Sequence, residues 1–258
     1  MKRELMYLRP ETVTEAIAAF DQAQGKVAVL CGGAFDRSGL LDAELLLDLQ
    51  DIKLTETPPD GTMFFGPSDA LVALQEAFRL YPDFEQAAVA EAGLNVRNTL
   101  SLYNFLKTAD GRSSLLIALC AMRVYLRWQP GNQMISLEDY LDNKHKDKPG
   151  FWDQMLIQIP KGFGFESVAR TPLDKPIVAV AMTSLNNEIV RVAAGGSCAL
   201  PVSNVFLDDV QEGKVWVRAT FENTTDAWAG NTYRQEVAMV LYDRLIEKLN
   251  SGKKGGAI

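Results

Sequence analysis

The sequence is poor in the side chains that most often carry catalysis or bind metals. Its 258 residues include one His and three Cys. A catalytic triad, a His-based zinc site or a His–carboxylate relay would have to use His145. Cys31, Cys120 and Cys198 share no CxxC spacing, which argues against a structural zinc site or an iron–sulfur cluster held by this chain. Any redox chemistry would therefore fall to a bound organic cofactor. Long apolar runs are absent too: the longest, residues 115–122, is far too short to span a bilayer. Basic charge is scarce, with 26 Lys plus Arg against 33 Asp plus Glu, a net charge of -7. A surface of that sign repels phosphate backbones, so no nucleic-acid partner is expected. The opening MKRELMYLRPETV has two basic residues but no apolar run behind them, so a cytoplasmic location is expected.

What is present is an ordinary globular composition, 47% hydrophobic and 23% charged. Residues 11–24 carry Val13, Ile17 and Phe20 at helical spacing. The β-branched run 26–30 predicts a buried strand that enters the glycine turn Cys31-Gly32-Gly33. Strands are also expected at 43–51 and 62–66, and helices at 69–80 and 84–92. Residues 113–128 read as a helix that ends in a strand from Val124. The polar stretch 142–150, which contains His145 and closes on Pro149-Gly150, reads as a solvated linker. Beyond it the pattern predicts strands at 154–159, 177–183, 188–194 and 214–219, then a helix over 233–250. This order predicts two α+β domains joined near 142–150.

Two segments could carry chemistry. In Leu30-Cys-Gly-Gly-Ala-Phe-Asp36, adjacent glycines after a buried strand let backbone N–H groups converge on an anion such as a pyrophosphate. The spacing is neither GxGxxG nor a P-loop, and a plain turn is the competing reading. The second, Leu94-Asn-Val-Arg-Asn-Thr-Leu-Ser-Leu-Tyr-Asn104, is an Asn-rich stretch that suits a compact functional loop or a structural turn.

At these segments the sequence resembles the flavoprotein (medium) subunits of the molybdenum hydroxylases, the group that includes carbon monoxide dehydrogenase and xanthine dehydrogenase. Tyr7-Leu-Arg-Pro-Glu-Thr-Val-Thr-Glu-Ala16 is similar to that family's opening Pro-x-Ser/Thr-x-x-Glu-Ala pattern. Leu30 to Asp36 looks like its first flavin loop, Ala-Gly-Gly-Thr-Asp/Ser-Leu. Asp48-Leu-Gln-Asp-Ile52, Phe65-Gly66 and Arg97-Asn98 resemble the pieces that follow, as does Leu115-Leu-Ile-Ala-Leu-Cys-Ala121. Ile135 to Tyr140, Leu156 to Pro160, Phe165 to Arg170, Asp174, Ile177 to Ala181 and Tyr233-Arg234 continue the order to the end.

The resemblance implies an α+β fold: a two-part PCMH-type FAD-binding domain over 1–145, with subdomains at roughly 1–54 and 55–145. A smaller α+β domain with an antiparallel sheet would follow over 151–250, and a flexible tail over 251–258. It implies FAD as cofactor, with Leu30, Cys31, Gly32, Gly33, Ala34, Phe35, Asn98, Ser101, Leu102, Tyr103, Asn104 and Asp110 as binding residues. No catalytic side chain and no metal ligand is implied. In such complexes a molybdenum-cofactor subunit oxidises the substrate. Electrons then pass through the 2Fe–2S clusters of an iron–sulfur subunit to FAD, and on to an acceptor such as NAD⁺ or a quinone. The departures matter as well. The family's second loop reads Thr-Ile-Gly-Gly-Asn/Asp, and Ser101-Leu-Tyr-Asn-Phe105 has lost both glycines. The alternative is accordingly a flavin-free interaction subunit that keeps the fold.

Overall fold

In chain order the computed structural model runs β1 (Met6–Leu8), α1 (Val13–Gln22), β2 (Val27–Leu30), β3 (Leu45–Asp48), β4 (Thr62–Phe65) and α2 (Leu71–Ala77). There follow α3 (Pro82–Glu91), α4 (Leu94–Thr99), α5 (Leu102–Thr108), α6 (Ser114–Ala121), β5 (Val124–Gln129), β6 (Gln133–Ser136) and α7 (Leu137–Leu141). Next are β7 (Phe151–Gln158), β8 (Gly162–Val168), β9 (Val178–Ser184), β10 (Ile189–Gly195) and β11 (Val202–Leu207), then α8 (Val210–Thr220) and α9 (Asn231–Lys254). The structure describes residues 5–24, 26–32, 43–142, 149–172, 174–184, 189–197, 199–207 and 210–254. His145 and most of the expected linker lie outside the described residues, as do Gly33, Ala34, Phe35 and Cys198.

The chain divides into two compact units. The first comprises residues 1–73, 95–108 and 124–158. Its opening is a β–α–β arrangement. Thr12 caps α1 by accepting the Glu15 N–H at 3.2 Å, and Ala16 and Phe20 form the buried stripe of that helix. The strands pair in parallel in the order β1-β3-β2, with Leu45 and Leu47 buried on the central strand. A second sheet of this unit runs antiparallel in the order β4-β7-β5-β6. Its strand β7 buries Phe151 and Trp152 completely, and the Phe20 ring lies 5.8 Å from that of Phe151.

The second unit comprises residues 74–94, 109–123 and 159–258. Its antiparallel sheet has the order β11-β10-β9-β8. α6 is capped by Ser113, which accepts the Leu116 N–H at 3.0 Å, and all eight of its residues are buried. The core packs Val178, Val180, Met182 and Val192 of the sheet against Val217 of α8 and Ala238, Leu241 and Leu245 of α9. Leu245 packs closely on Gly164 of β8, where a Cβ would stand 2.7 Å from Leu245 Cδ2. Leu245 is fully buried. Leu245→Ala should therefore lower the unfolding free energy by about 2–5 kcal/mol, read from the urea midpoint at unchanged slope.

Three expectations are corrected here. Residues 214–219 form part of helix α8 and not a strand. The alternating Val215 and Val217 suggested a strand. In the structure Val215 is 67% exposed, while Gly213 and Val217, four residues apart, face the core. A helical stripe outweighs β propensity when one face alone is needed. The Asn-rich stretch 94–104 is not a loop but two short helices, α4 and the start of α5. Helix α9 also continues past Asn250, to Lys254. The α+β class itself, with an antiparallel sheet and helices in the second unit, is what the structure shows.

Candidate functional site

The two segments singled out in the sequence meet in the first unit. β2 ends at Leu30, and Gly32 adopts a left-handed conformation, φ +55°, that favours glycine. The N–H of Gly32 donates to Asp48 Oδ1 at 3.3 Å. Asp48, 4% exposed, also accepts the Gln50 N–H at 3.1 Å and the Tyr7 hydroxyl at 2.8 Å. That hydrogen bond is the main reason the Tyr7 hydroxyl titrates above its ordinary value.

The second segment reaches the first through side chains. Ser101 Oγ donates to the Cys31 carbonyl at 2.8 Å. Asn104 Nδ2 donates to the same carbonyl at 3.1 Å and to that of Gly32 at 2.6 Å. Both residues are buried. The backbone N–H groups that open α5 are also engaged. Leu102 N–H donates to Asp69 O at 2.8 Å, Tyr103 N–H to Pro67 O at 3.1 Å, and Asn104 N–H to Ser101 Oγ at 3.4 Å. The Tyr103 ring lies 5.5 Å from that of Trp152, and Lys107 Nζ lies over the Tyr103 ring, 5.2 Å from its centroid. Burial raises the Tyr103 hydroxyl well above its ordinary value.

Of the residues read from the sequence, Leu30, Cys31, Gly32, Ser101, Leu102, Tyr103 and Asn104 all belong to this cluster or flank it. Asn98 is exposed on α4. Asp110 belongs to the second unit, where it accepts the Arg112 N–H at 2.9 Å and lies 3.2 Å from Lys175 Nζ. Sequence reasoning missed Asp48 as the acceptor for the Gly32 N–H. Its signal was available: a carboxylate that ends an apolar strand and stands two residues before Gln50.

A dinucleotide cofactor requires free N–H groups converging on its pyrophosphate. The start of α5 does not fit that requirement, because the amides of Leu102, Tyr103 and Asn104 already have protein acceptors. In the first segment, the Gly32 amide is likewise engaged, and the residues beyond it lie outside the described ones. The Nε1 of fully buried Trp152 is a donor without an acceptor.

Among the described residues, neither Cys31 nor Cys120 is a ready nucleophile. Burial, aided by the charge of Asp48 and opposed by a hydrogen bond with Ser101, pushes the Cys31 thiol up to about 12. Burial likewise pushes Cys120 up to about 12, against the charge of Arg191. In the folded protein at pH 8 neither should react with iodoacetamide, and both should after unfolding. Mass spectrometry of the labelled peptides checks this; fast labelling of the native Cys31 would contradict the closed end of β2. Among the described residues, no group of three or more His, Cys, Asp or Glu is placed to hold a metal ion. No helix among them is long and apolar enough to cross a membrane.

A separate cavity of about 780 Å³ in the first unit is polar, lined among others by Thr12, Asp51, Lys53 and Glu56. On its wall Arg127 grips the fully buried Asp153 with Nε at 2.9 Å and Nη2 at 3.0 Å, and its Nη1 reaches Glu56 at 2.5 Å.

Set beside solved structures, the whole chain finds a counterpart. A chain of reconstituted CO dehydrogenase from Oligotropha carboxidovorans superposes with a TM-score of 0.71 at 16% identity, covering 96% of this chain and 98% of that one. The fold is one found in CO dehydrogenase. A chain of the cyanide-inactivated Cu,Mo-CO dehydrogenase gives 0.69 at 17% identity, over 96% of this chain and 98% of that one. Quinoline 2-oxidoreductase from Pseudomonas putida 86 gives 0.68 at 18%, over 96% and 97%. No protein-family model matches the sequence, and no curated protein sequence matches it. The likeness is therefore one of fold, end to end, with little of the sequence shared.

Proposed function

We propose that the chain is the flavoprotein-type (medium) subunit of a multi-subunit molybdenum hydroxylase, an oxidoreductase complex. The observation that carries this reading is the fold, shared over 96% of this chain and 98% of a CO dehydrogenase chain. Its partners would be an iron–sulfur subunit and a molybdenum-cofactor subunit, and its compartment the cytoplasm. The domain limits 1–145 and 151–250 belong to the same proposal.

FAD is the cofactor of that position in the family the sequence resembles, and NAD⁺ or a quinone the acceptor. When bound, a flavin would supply the redox chemistry that no side chain of this sequence offers. In this form of the reading Leu30, Cys31, Gly32, Gly33, Ala34 and Phe35 would form the flavin loop. Asn98, Ser101, Leu102, Tyr103, Asn104 and Asp110 would be its further contacts. The second form is a flavin-free interaction subunit, a reading motivated by the protein acceptors of the Leu102, Tyr103 and Asn104 amides.

Affinity purification of the tagged chain from its own cells tests the proposed position. The expected companions are an iron–sulfur protein with CxxxxCxxC-type cluster ligands and a molybdenum-containing chain. A chain that purifies alone at native expression contradicts the proposal.

A further inference from the structure

We infer that Ser101–Asn104 is an internal plug standing where a diphosphate-binding loop would be, and that the chain serves its complex without FAD. The inference rests on the subunit position proposed above and concerns its cofactor alone.

The plug has three parts. The first is the backbone. A diphosphate is held by N–H groups with nothing else to bond, yet Leu102, Tyr103 and Asn104 spend theirs on Asp69 O, Pro67 O and Ser101 Oγ. Freeing them would undo the bridge between Ala70 and Ser101 that fixes the start of α5. The second part is the pair of side-chain donors. Asn104 Nδ2 and Ser101 Oγ tie the Cys31 and Gly32 carbonyls to α5, so the strand end and the helix start are bonded directly to each other. A bound diphosphate between them would have to break those bonds and leave two carbonyls facing its own oxygens. The third part is bulk. Tyr103 is 5% exposed and its ring packs against that of Trp152, in the segment where two glycines would let a ligand approach the backbone. The unpartnered Nε1 of Trp152 is one indole donor, too little to replace an amide cradle.

The amides of Leu102, Tyr103 and Asn104 and the side-chain donors of Ser101 and Asn104 are thus engaged within the chain. What remains is a structural subunit whose two buried thiols, Cys31 and Cys120, carry no redox function.

The test is the flavin content of the full chain, purified by itself and within its complex. Flavin released by denaturation is measured by fluorescence, alongside iron and molybdenum. The inference expects FAD far below one per chain in both preparations, and no rise in Tm when FAD is added to the purified chain. Stoichiometric FAD in either preparation, or saturable uptake that raises Tm, overturns it. The two proposals fail separately. Iron and molybdenum with stoichiometric FAD would keep the subunit position and remove the plug. Neither metal and no flavin would keep the plug and remove the position.

Discussion

Asn104→Asp will lower the unfolding free energy by about 3–5 kcal/mol, among the largest effects expected of a near-isosteric change in this chain. Asn104 is 4% exposed and gives one amide group to two carbonyls, those of Cys31 and Gly32. The substitution keeps its volume and reverses its chemistry. A carboxylate oxygen in place of Nδ2 would then face two carbonyl oxygens, with a charge added in a place water barely reaches. Protonation offers one escape, which predicts that the variant recovers part of its stability as pH falls below the buried carboxyl's raised pKa. Asn104→Ala leaves both carbonyls without this donor but adds no charge, so its loss should be smaller, about 1–3 kcal/mol. Urea titrations of the three proteins at two pH values check the order. An Asn104→Asp variant as stable as the wild type would mean that the latch does not form.

Arg127→Ala is expected to cost a similar amount, about 3–5 kcal/mol, for the complementary reason. Asp153 lies on β7 with no exposed surface, and Arg127 on β5 meets it with two parallel N–H bonds. Removing the guanidinium leaves a buried carboxylate that keeps the Gln129 Nε2 donor, at 3.3 Å. Replacing both partners by apolar residues, Arg127→Met with Asp153→Leu, should return most of the loss, since no unpaired charge then remains. The same arginine gives the protein an acid limb. Its hydrogen bond to Glu56, outweighing a partial burial that acts the other way, holds the Glu56 carboxyl below the usual carboxylate range. A carboxyl lowered by folding stabilises the protein above its unfolded pKa of about 4.3, and that stability is lost as pH falls through the folded value. The wild type should therefore weaken below about pH 4 more than Arg127→Ala does. Equal acid sensitivity in the two proteins would contradict the pairing.

Much of the architecture was legible because local pattern and tertiary demand agreed. Val13, Ile17 and Phe20 marked α1, the β-branched run before Cys31 marked β2, and the apolar segment from Ser113 marked α6. Where the two disagreed, the pattern misled. Lys214 to Ala219 alternates like a strand, but α8 needs just one buried face, which Gly213 and Val217 supply. The candidate site was half legible. Adjacent glycines pointed to the end of β2, and Asn104 and Ser101 were picked out as neighbours of the same site. Their actual work, donating side-chain hydrogen bonds to the carbonyls of Cys31 and Gly32, depends on contacts 70 to 73 residues apart in sequence. No local pattern carries that information. Asp110 looked like part of the same site by sequence order, yet the chain places it in the second unit beside Lys175.

The central claim is the subunit position, and metal content tests it most directly. The chain, tagged and expressed at its natural level, should purify with molybdenum and with iron in 2Fe–2S clusters, both in fixed ratio to it through gel filtration. A single peak of this chain, free of both metals, would contradict the account.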